Sequence, residues 1–280
     1  FEGLFRLPNG RPPLVRIHDV QLPGRRVSTL TMGEGPDVVC IHGLGGSSNN
    51  WTPILPALGG FRRIRPDLPG SARSPLPADG KALSIDGYVD AMLRLLSALD
   101  IGSVHVMAHS MGTIVAQHLA VRSPGTVKSL ALFGPLAAPP DAARPNIVAR
   151  ANAARGGAAA MQEIADAIVK GATSIQTKEQ QPAVLALVRE SVMRQSPEGY
   201  AQSCTALAEA QSAALERIDV PTLLVTGDQD GVAPVANVQA MQARIAGSRL
   251  VVLEGCGHWT TFEQPQRCVQ ALEAFYAALR

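Results

Sequence analysis

The chain has 280 residues, 46% of them hydrophobic and 17% charged, with a formal charge of +2. That balance describes an ordinary globular protein, with length for one large α/β domain or a domain carrying an inserted subdomain. It argues against a nucleic-acid binder, because the arginines are scattered, and against a membrane span, because no apolar run approaches roughly 20 residues. The four cysteines, Cys40, Cys204, Cys256 and Cys268, fit no zinc spacing. The opening Phe1-Glu2-Gly3-Leu4 lacks the charged-then-apolar layout of a secretory signal. A cytoplasmic protein with reduced thiols and no bound metal is expected.

Strands are read at Leu14–Val20 and Arg26–Thr31, joined by the Pro23-Gly24 turn, a hairpin suited to the edge of a larger sheet. Asp37-Val38-Val39-Cys40-Ile41 is a continuous apolar run of the kind buried on both faces, and it leads into His42-Gly43-Leu44-Gly45-Gly46. This loop has neither Gly-x-Gly-x-x-Gly nor Gly-Lys-Ser/Thr order, which argues against a nucleotide cradle. Its glycines instead allow the Leu44 N–H to turn inward, with that of Met111, towards an oxygen that develops negative charge. Trp51–Leu58 reads as a short amphipathic helix and Phe61–Arg65 as the next strand, with Asp67 shaping the loop beyond it. Ser84 is the expected N-cap of a helix carrying Tyr88, Met92, Leu95 and Leu99 on one face.

Val104–Ala108 is a short buried strand that breaks at His109-Ser110 into a helix running from Met111 to about Arg122. A serine on such a strand–turn–helix junction is held in a strained conformation with its hydroxyl pushed out above the sheet edge. Strand and helix come into contact just there, and Ala108 and Gly112 are small enough to allow it. Val127–Phe133 is a further buried strand.

From Leu136 the strand signal disappears. Residues 136–215 are alanine-rich and helical, with breaks at Pro139-Pro140, Gly156-Gly157, Gly171, Pro182 and Pro197. That is too long for one crossover connection and reads as an inserted cap. Strands resume at Thr222–Thr226, which ends in Gly227-Asp228-Gln229-Asp230, and at Arg249–Leu253, which ends in Gly255-Cys256-Gly257-His258-Trp259; helices follow at Val235–Ile245 and Arg267–Leu279. The expectation is an α/β fold: a mostly parallel central sheet covered by helices on both faces. Residues 1–135 and 216–280 form its core and 136–215 the helical cap.

Ser110, Asp230 and His258 thus stand at three strand ends. A serine hydroxyl needs an imidazole to take its proton, and the imidazole needs a carboxylate to fix its tautomer and stabilise its cation. The order Ser…Asp…His, the Ala-x-Ser-x-Gly elbow at 108–112, the His42-Gly43 loop and the inserted cap resemble the serine hydrolases of the α/β-hydrolase fold over essentially the whole chain. The family pattern Gly-x-x-Asp selects Asp230 over Asp228 as the acid. His258, in a Gly-x-Gly-His loop that reads as flexible, is the implied base. His105 and His118 read as packed, His18 as exposed, His109 as pointing away along its turn and His42 as bracing the oxyanion loop. A serine at the elbow sets the chain apart from the dehalogenases and epoxide hydrolases of this fold, which carry aspartate there.

Two local resemblances divide the expectation. Ser196-Pro197-Glu198-Gly199-Tyr200…Cys204 is similar to a cap helix of 3-oxoadipate enol-lactonases, whereas Gly257-His258-Trp259 is closer to the meta-cleavage-product hydrolases, which split carbon–carbon bonds. The resemblance implies a cofactor-free hydrolysis of a small ester or lactone through an acyl-enzyme on Ser110. Carbon–carbon hydrolysis and a non-turnover small-molecule receptor are the alternatives. Gly43, Trp51, Met161, Leu187, Met193 and Trp259 are the candidate substrate-binding residues, and Arg144, Arg150 and Arg194 the candidates to meet a substrate carboxylate.

Overall fold

Strand side chains alternate between the two faces of a sheet, and here the two sets are buried under different helices. The computed structural model describes residues 15–279; Phe1–Leu4 and the expected strand start at Leu14 lie outside the described residues. The hairpin β1 (Val15–Leu22) and β2 (Arg25–Met32) turns at Pro23-Gly24, and β3 (Asp37–Ile41) and β4 (Arg62–Pro66) follow. Then come α1 (Ile85–Ala98), β5 (Val104–His109), α2 (Met111–Arg122) and β6 (Val127–Phe133). After a helical segment, β7 (Thr222–Gly227), α8 (Val235–Arg244), β8 (Arg249–Leu253), α9 (Thr260–Glu263) and α10 (Pro265–Ala277) complete the chain. The sheet order is β1-β2-β4-β3-β5-β6-β7-β8. The hairpin is antiparallel to itself and to β4, and all other pairs are parallel.

Val39, Ile41, Val106, Ala108, Leu130 and Leu132 face one way and pack with Leu95, Leu119 and Met241 of α1, α2 and α8. Val38, Cys40, Met107, Ala131 and Phe133 face the other way and pack with Trp51, Leu272 and Phe275. Each such large side chain contributes about 1.5–3 kcal/mol on burial, so the register of the sheet is set by both faces at once. The Trp51–Leu58 segment proves to be a 3₁₀ helix over Ser48–Leu58. Pro53 and Pro56 lie inside it and cannot donate the N–H groups an α-helix would use. Ser84 caps α1 as expected, its hydroxyl accepting from Gly87 N–H at 3.0 Å.

Between β6 and β7 lie α3 (Arg144–Ala154), α4 (Ala158–Ala172), α5 (Ile175–Gln180), α6 (Pro182–Met193) and α7 (Pro197–Ala208). Helix α3 packs on α7 and α4 on α6. Their apolar faces share a cluster that includes Met161, Val188, Val192, Tyr200 and Cys204, and into which Trp259 and Phe262 project from beyond β8. Arg144 closes this bundle: it pairs with Asp141 and donates to the carbonyls of Ala208 and Ala210 at the end of α7. Its guanidinium is thereby committed to structure rather than to a ligand. Among the described residues, no helix is long and apolar enough to cross a membrane.

Candidate active site

The turn from β5 into α2 holds Ser110 at φ +52°, the left-handed region that side chains other than glycine rarely adopt. Its N–H donates to Phe133 O at 2.9 Å, and its carbonyl accepts from both the N–H and the hydroxyl of Thr113, at 2.8 and 2.6 Å. The Thr113 hydroxyl in turn accepts from Leu136 N–H at 3.0 Å, tying the turn to the segment that leads from β6 towards α3. Gly112 is required by the close approach of α2 to β3. A Cβ there would lie 2.5 Å from the carbonyl oxygens of both Ile41 and His42.

The Ser110 hydroxyl lies 2.8 Å from His258 Nε2, and His258 Nδ1 lies 2.8 Å from Asp230 Oδ2. Asp230 Oδ1 accepts from Val232 N–H at 2.8 Å and Ala233 N–H at 2.7 Å, which fixes the plane of the carboxylate. Burial pushes the Asp230 carboxyl up, but the facing His258, the hydrogen bond to it and these two N–H groups outweigh burial and hold it below the ordinary aspartate value. Asp228 faces elsewhere and accepts from Cys256 N–H at 3.1 Å. Gly134, at the end of β6, makes room for the imidazole, since a Cβ there would lie 2.9 Å from its ring.

The His258 loop departs from the expected flexibility. Gly257 N–H and Trp259 N–H both donate to the Glu263 carboxylate, His258 N–H donates to Ala172 O of α4 at 2.9 Å, and His109 Nε2 lies 2.9 Å from His258 O. His109 therefore lies beside His258, ring centroids 5.0 Å apart, rather than pointing away along its turn. Burial, with the neighbouring His258, pushes its pKa down to about 3, so it stays neutral.

His42 braces the glycine loop as expected. Its Nε2 accepts from Leu68 N–H at 2.9 Å, so Nδ1 carries the proton and donates to Gly43 O at 2.8 Å. Burial lowers its pKa, against the pull of Asp67, which matches this neutral tautomer. Asp67 shapes the adjoining loops, accepting from Ser48 N–H at 2.7 Å and Arg73 Nε at 2.8 Å. Two residues that the sequence did not single out hold the loop from the helical side. Ser191 donates to Gly45 O at 2.8 Å, and buried Gln195 donates to Gly45 O and Gly46 O while accepting from Ala72 N–H. Met111 opens α2, where N–H groups lack intrahelical partners, and the Leu44 N–H makes no hydrogen bond among the described residues.

A cavity of about 440 Å³ opens over Ser110 and His258. Trp259 lines it, and so do Leu44, singled out for its N–H, and Tyr200 of the Ser196–Cys204 stretch, together with Leu136, Leu207 and Val232, which the sequence did not single out. Helix α4 supplies one wall through Ile164, Ile168 and Ala172 and a rim through Glu163, Ala167 and Gly171. Both sets have i, i+4 spacing, a signal present in the sequence. The other expected lining residues lie elsewhere. Trp51 is buried under the sheet, edge-on to Phe133. Met161 and Met193 belong to the helices' shared cluster, and Leu187 is exposed at the surface. Gly43 lies behind Ser110 rather than on the cavity wall; a Cβ on it would lie 2.7 Å from Ser110 Cβ. Of the three arginines only Arg150 reaches the cavity, whereas Arg194 lines a separate polar hollow with Arg73. All four cysteines are free and buried, and burial pushes the Cys40 and Cys204 thiols up to about 12, which leaves them poor nucleophiles. Among the described residues, no cluster of His, Cys, Asp and Glu could hold a metal ion.

A family model described as the alpha/beta hydrolase fold matches residues 36–265. The chain is 28% identical to 2-hydroxymuconate semialdehyde hydrolase of Pseudomonas sp. (strain CF600), over 96% of each chain. Among solved structures, it is similar to the enol-lactonase from Burkholderia xenovorans LB400, with a TM-score of 0.86 and 27% identity over 93% of this chain and all (100%) of that one. A thermophilic esterase from Thermogutta terrifontis, in its malate-bound form, also gives 0.86, at 26% identity over 94% of this chain and 97% of that one.

Proposed function

The chain belongs to the α/β-hydrolase family, and on that footing we propose that it is a cofactor-free serine hydrolase of small carboxylic esters or lactones. The observation that carries this reading is the unbroken relay of two 2.8 Å contacts from Ser110 through His258 to Asp230 beneath a mainly apolar cavity. His258 Nε2 takes the hydroxyl proton as Ser110 Oγ attacks the carbonyl carbon, and Asp230 stabilises the imidazolium. The N–H groups of Leu44 and Met111 hold the oxyanion. Collapse of the tetrahedral intermediate expels the alcohol, which receives the proton from His258. Water, deprotonated by the same imidazole, then cleaves the acyl-enzyme. Helices α3–α7 act as the cap that closes the cavity, and Tyr200 and Trp259 shape it.

The test is a panel of p-nitrophenyl acyl esters, lactones and ring-fission dienones, with intact-mass measurement after a fluorophosphonate. Turnover of short esters or lactones and one adduct on Ser110 are the expected results. An unlabelled, folded protein would point to a receptor. Turnover of the dienones alone would select the second reading, carbon–carbon hydrolysis, which the likeness to the semialdehyde hydrolase and Trp259 in the cavity favour.

Arg150 adds a preference within the first reading. It lines the cavity beside Tyr200, whose buried hydroxyl lies next to its guanidinium. A charge-assisted hydrogen bond contributes about 1.5 kcal/mol or more, about a factor of ten. Arg150→Gln is therefore expected to lower the ratio of kcat/KM for p-nitrophenyl hydrogen glutarate to that for p-nitrophenyl butyrate by about tenfold. An unchanged ratio would remove Arg150 from substrate recognition.

A further inference from the structure

Glu263, the last residue of α9, is a buried carboxylate that forms no ion pair among the described residues. A buried charge is expensive unless its oxygens are fully hydrogen-bonded, and here neutral donors satisfy them. Oε2 accepts from Ser174 N–H at 2.8 Å, the Thr177 hydroxyl at 2.9 Å and Gly257 N–H at 3.0 Å. Oε1 accepts from Trp259 N–H at 3.0 Å. Two of these donors flank His258, and the other two belong to the start of α5 in the helical insertion. The N–H between them, that of His258, goes to Ala172 O. Three successive N–H groups of the loop thus alternate between one carboxylate and the insertion. The Ser174 hydroxyl completes the knot by donating to Thr177 Oγ1 at 2.9 Å, which leaves the Thr177 proton for Glu263.

We propose that Glu263 is a positioning residue for His258, and that through it the seating of residues 172–177 and the placing of the imidazole are one event. The proposal rests on the serine-hydrolase reading, for which the imidazole must meet Ser110. Without the carboxylate, the Gly257 and Trp259 N–H groups lose their common anchor, and the imidazole between them loses its height above the sheet. Misplacement of a catalytic group by about 1 Å costs on the order of 10²-fold in rate.

The test uses two variants of the full chain. In Glu263→Gln the amide oxygen can replace Oε2, but the –NH₂ then meets the Trp259 N–H, donor against donor. Thr177→Val removes one of the two α5 donors to Glu263, together with the acceptor of the Ser174 hydroxyl, and keeps the Ser174 N–H and both loop N–H groups in place. Three quantities are measured: the second-order rate of Ser110 labelling by a small fluorophosphonate, kcat and KM for p-nitrophenyl butyrate, and the downfield proton resonance of His258 Nδ1–H. For Glu263→Gln, labelling and kcat are expected to fall on the order of 10²-fold. KM should stay within about threefold, because the cavity wall is retained, and the resonance should shift or broaden. Thr177→Val should move the same quantities in the same direction by several-fold. A folded Glu263→Gln protein with wild-type labelling and an unmoved resonance would overturn the proposal and reduce the carboxylate to an inert knot. Should that variant not fold, wild-type kcat and resonance in Thr177→Val overturn it instead. A wild-type protein that is itself unlabelled sinks the hydrolase reading. The resonance reports only the His258–Asp230 contact and still decides the role of Glu263.

Discussion

Ser110→Ala is expected to lower kcat for p-nitrophenyl butyrate on the order of 10⁶-fold, the loss seen when the nucleophile of such a triad is removed. No neighbouring group replaces it: the cysteine thiols are buried, and the Thr113 hydroxyl is engaged with Ser110 O and Leu136 N–H. The fold should survive. The turn is held by backbone bonds to Phe133 O and from Thr113 N–H, neither of which involves the Ser110 hydroxyl. Alanine meets no steric term at φ +52° that serine does not already meet. The hydroxyl contacts only His258, and that contact opens on the cavity, so its loss leaves no polar atom sealed from water. Steady-state kinetics, fluorophosphonate labelling and a melting curve check this. Turnover above a few per cent in clean protein would take Ser110 out of the mechanism.

Asp230→Asn is expected to lower kcat on the order of 10⁴-fold, through the wrong histidine tautomer. The two N–H donors of Val232 and Ala233 dictate how an asparagine would sit: its carbonyl must face them, which turns its –NH₂ towards His258 Nδ1. Nδ1 must then accept, the proton moves to Nε2, and the imidazole can no longer take the Ser110 proton. Asp228→Asn should cost less than tenfold, because an amide oxygen accepts from Cys256 N–H as a carboxylate does. The reverse ranking of the two variants would reassign the acid. Because the folded Asp230 lies below its ordinary value, its stabilising contribution is present above about pH 4 and is lost as pH falls through the lowered value. Acid melting curves of the wild type and Asp230→Asn should therefore converge at low pH.

Ser110, Asp230 and His258 were legible because each closes an apolar run, and the C-terminal ends of parallel strands share one edge. The helix after Ser84 and the Pro23-Gly24 hairpin were legible for a similar reason: cap and turn residues act on the backbone within a few positions. A helix was read over Trp51–Leu58, but its start at Ser48 lay outside that reading, and its 3₁₀ form depended on two prolines within three residues of one another.

The pocket shows where such reading stops. In α4, Met161 turns to the sibling helices and Ile164 to the cavity, although both are apolar residues of one amphipathic stretch. Glu263 and Gln195 look like solvated side chains in the sequence; their partners lie 86 and 89 residues away for Thr177 and Ser174, and 149 and 150 for Gly46 and Gly45. The sequence by itself determined the elements, the sheet and the strand ends that carry the chemical groups, because periodicity, capping and backbone strain are local. Only the tertiary structure decided which helical face looks into the cavity, which arginine reaches it and which buried carboxylate holds the histidine loop. Those outcomes depend on contacts between segments far apart in the chain, and no local pattern encodes them.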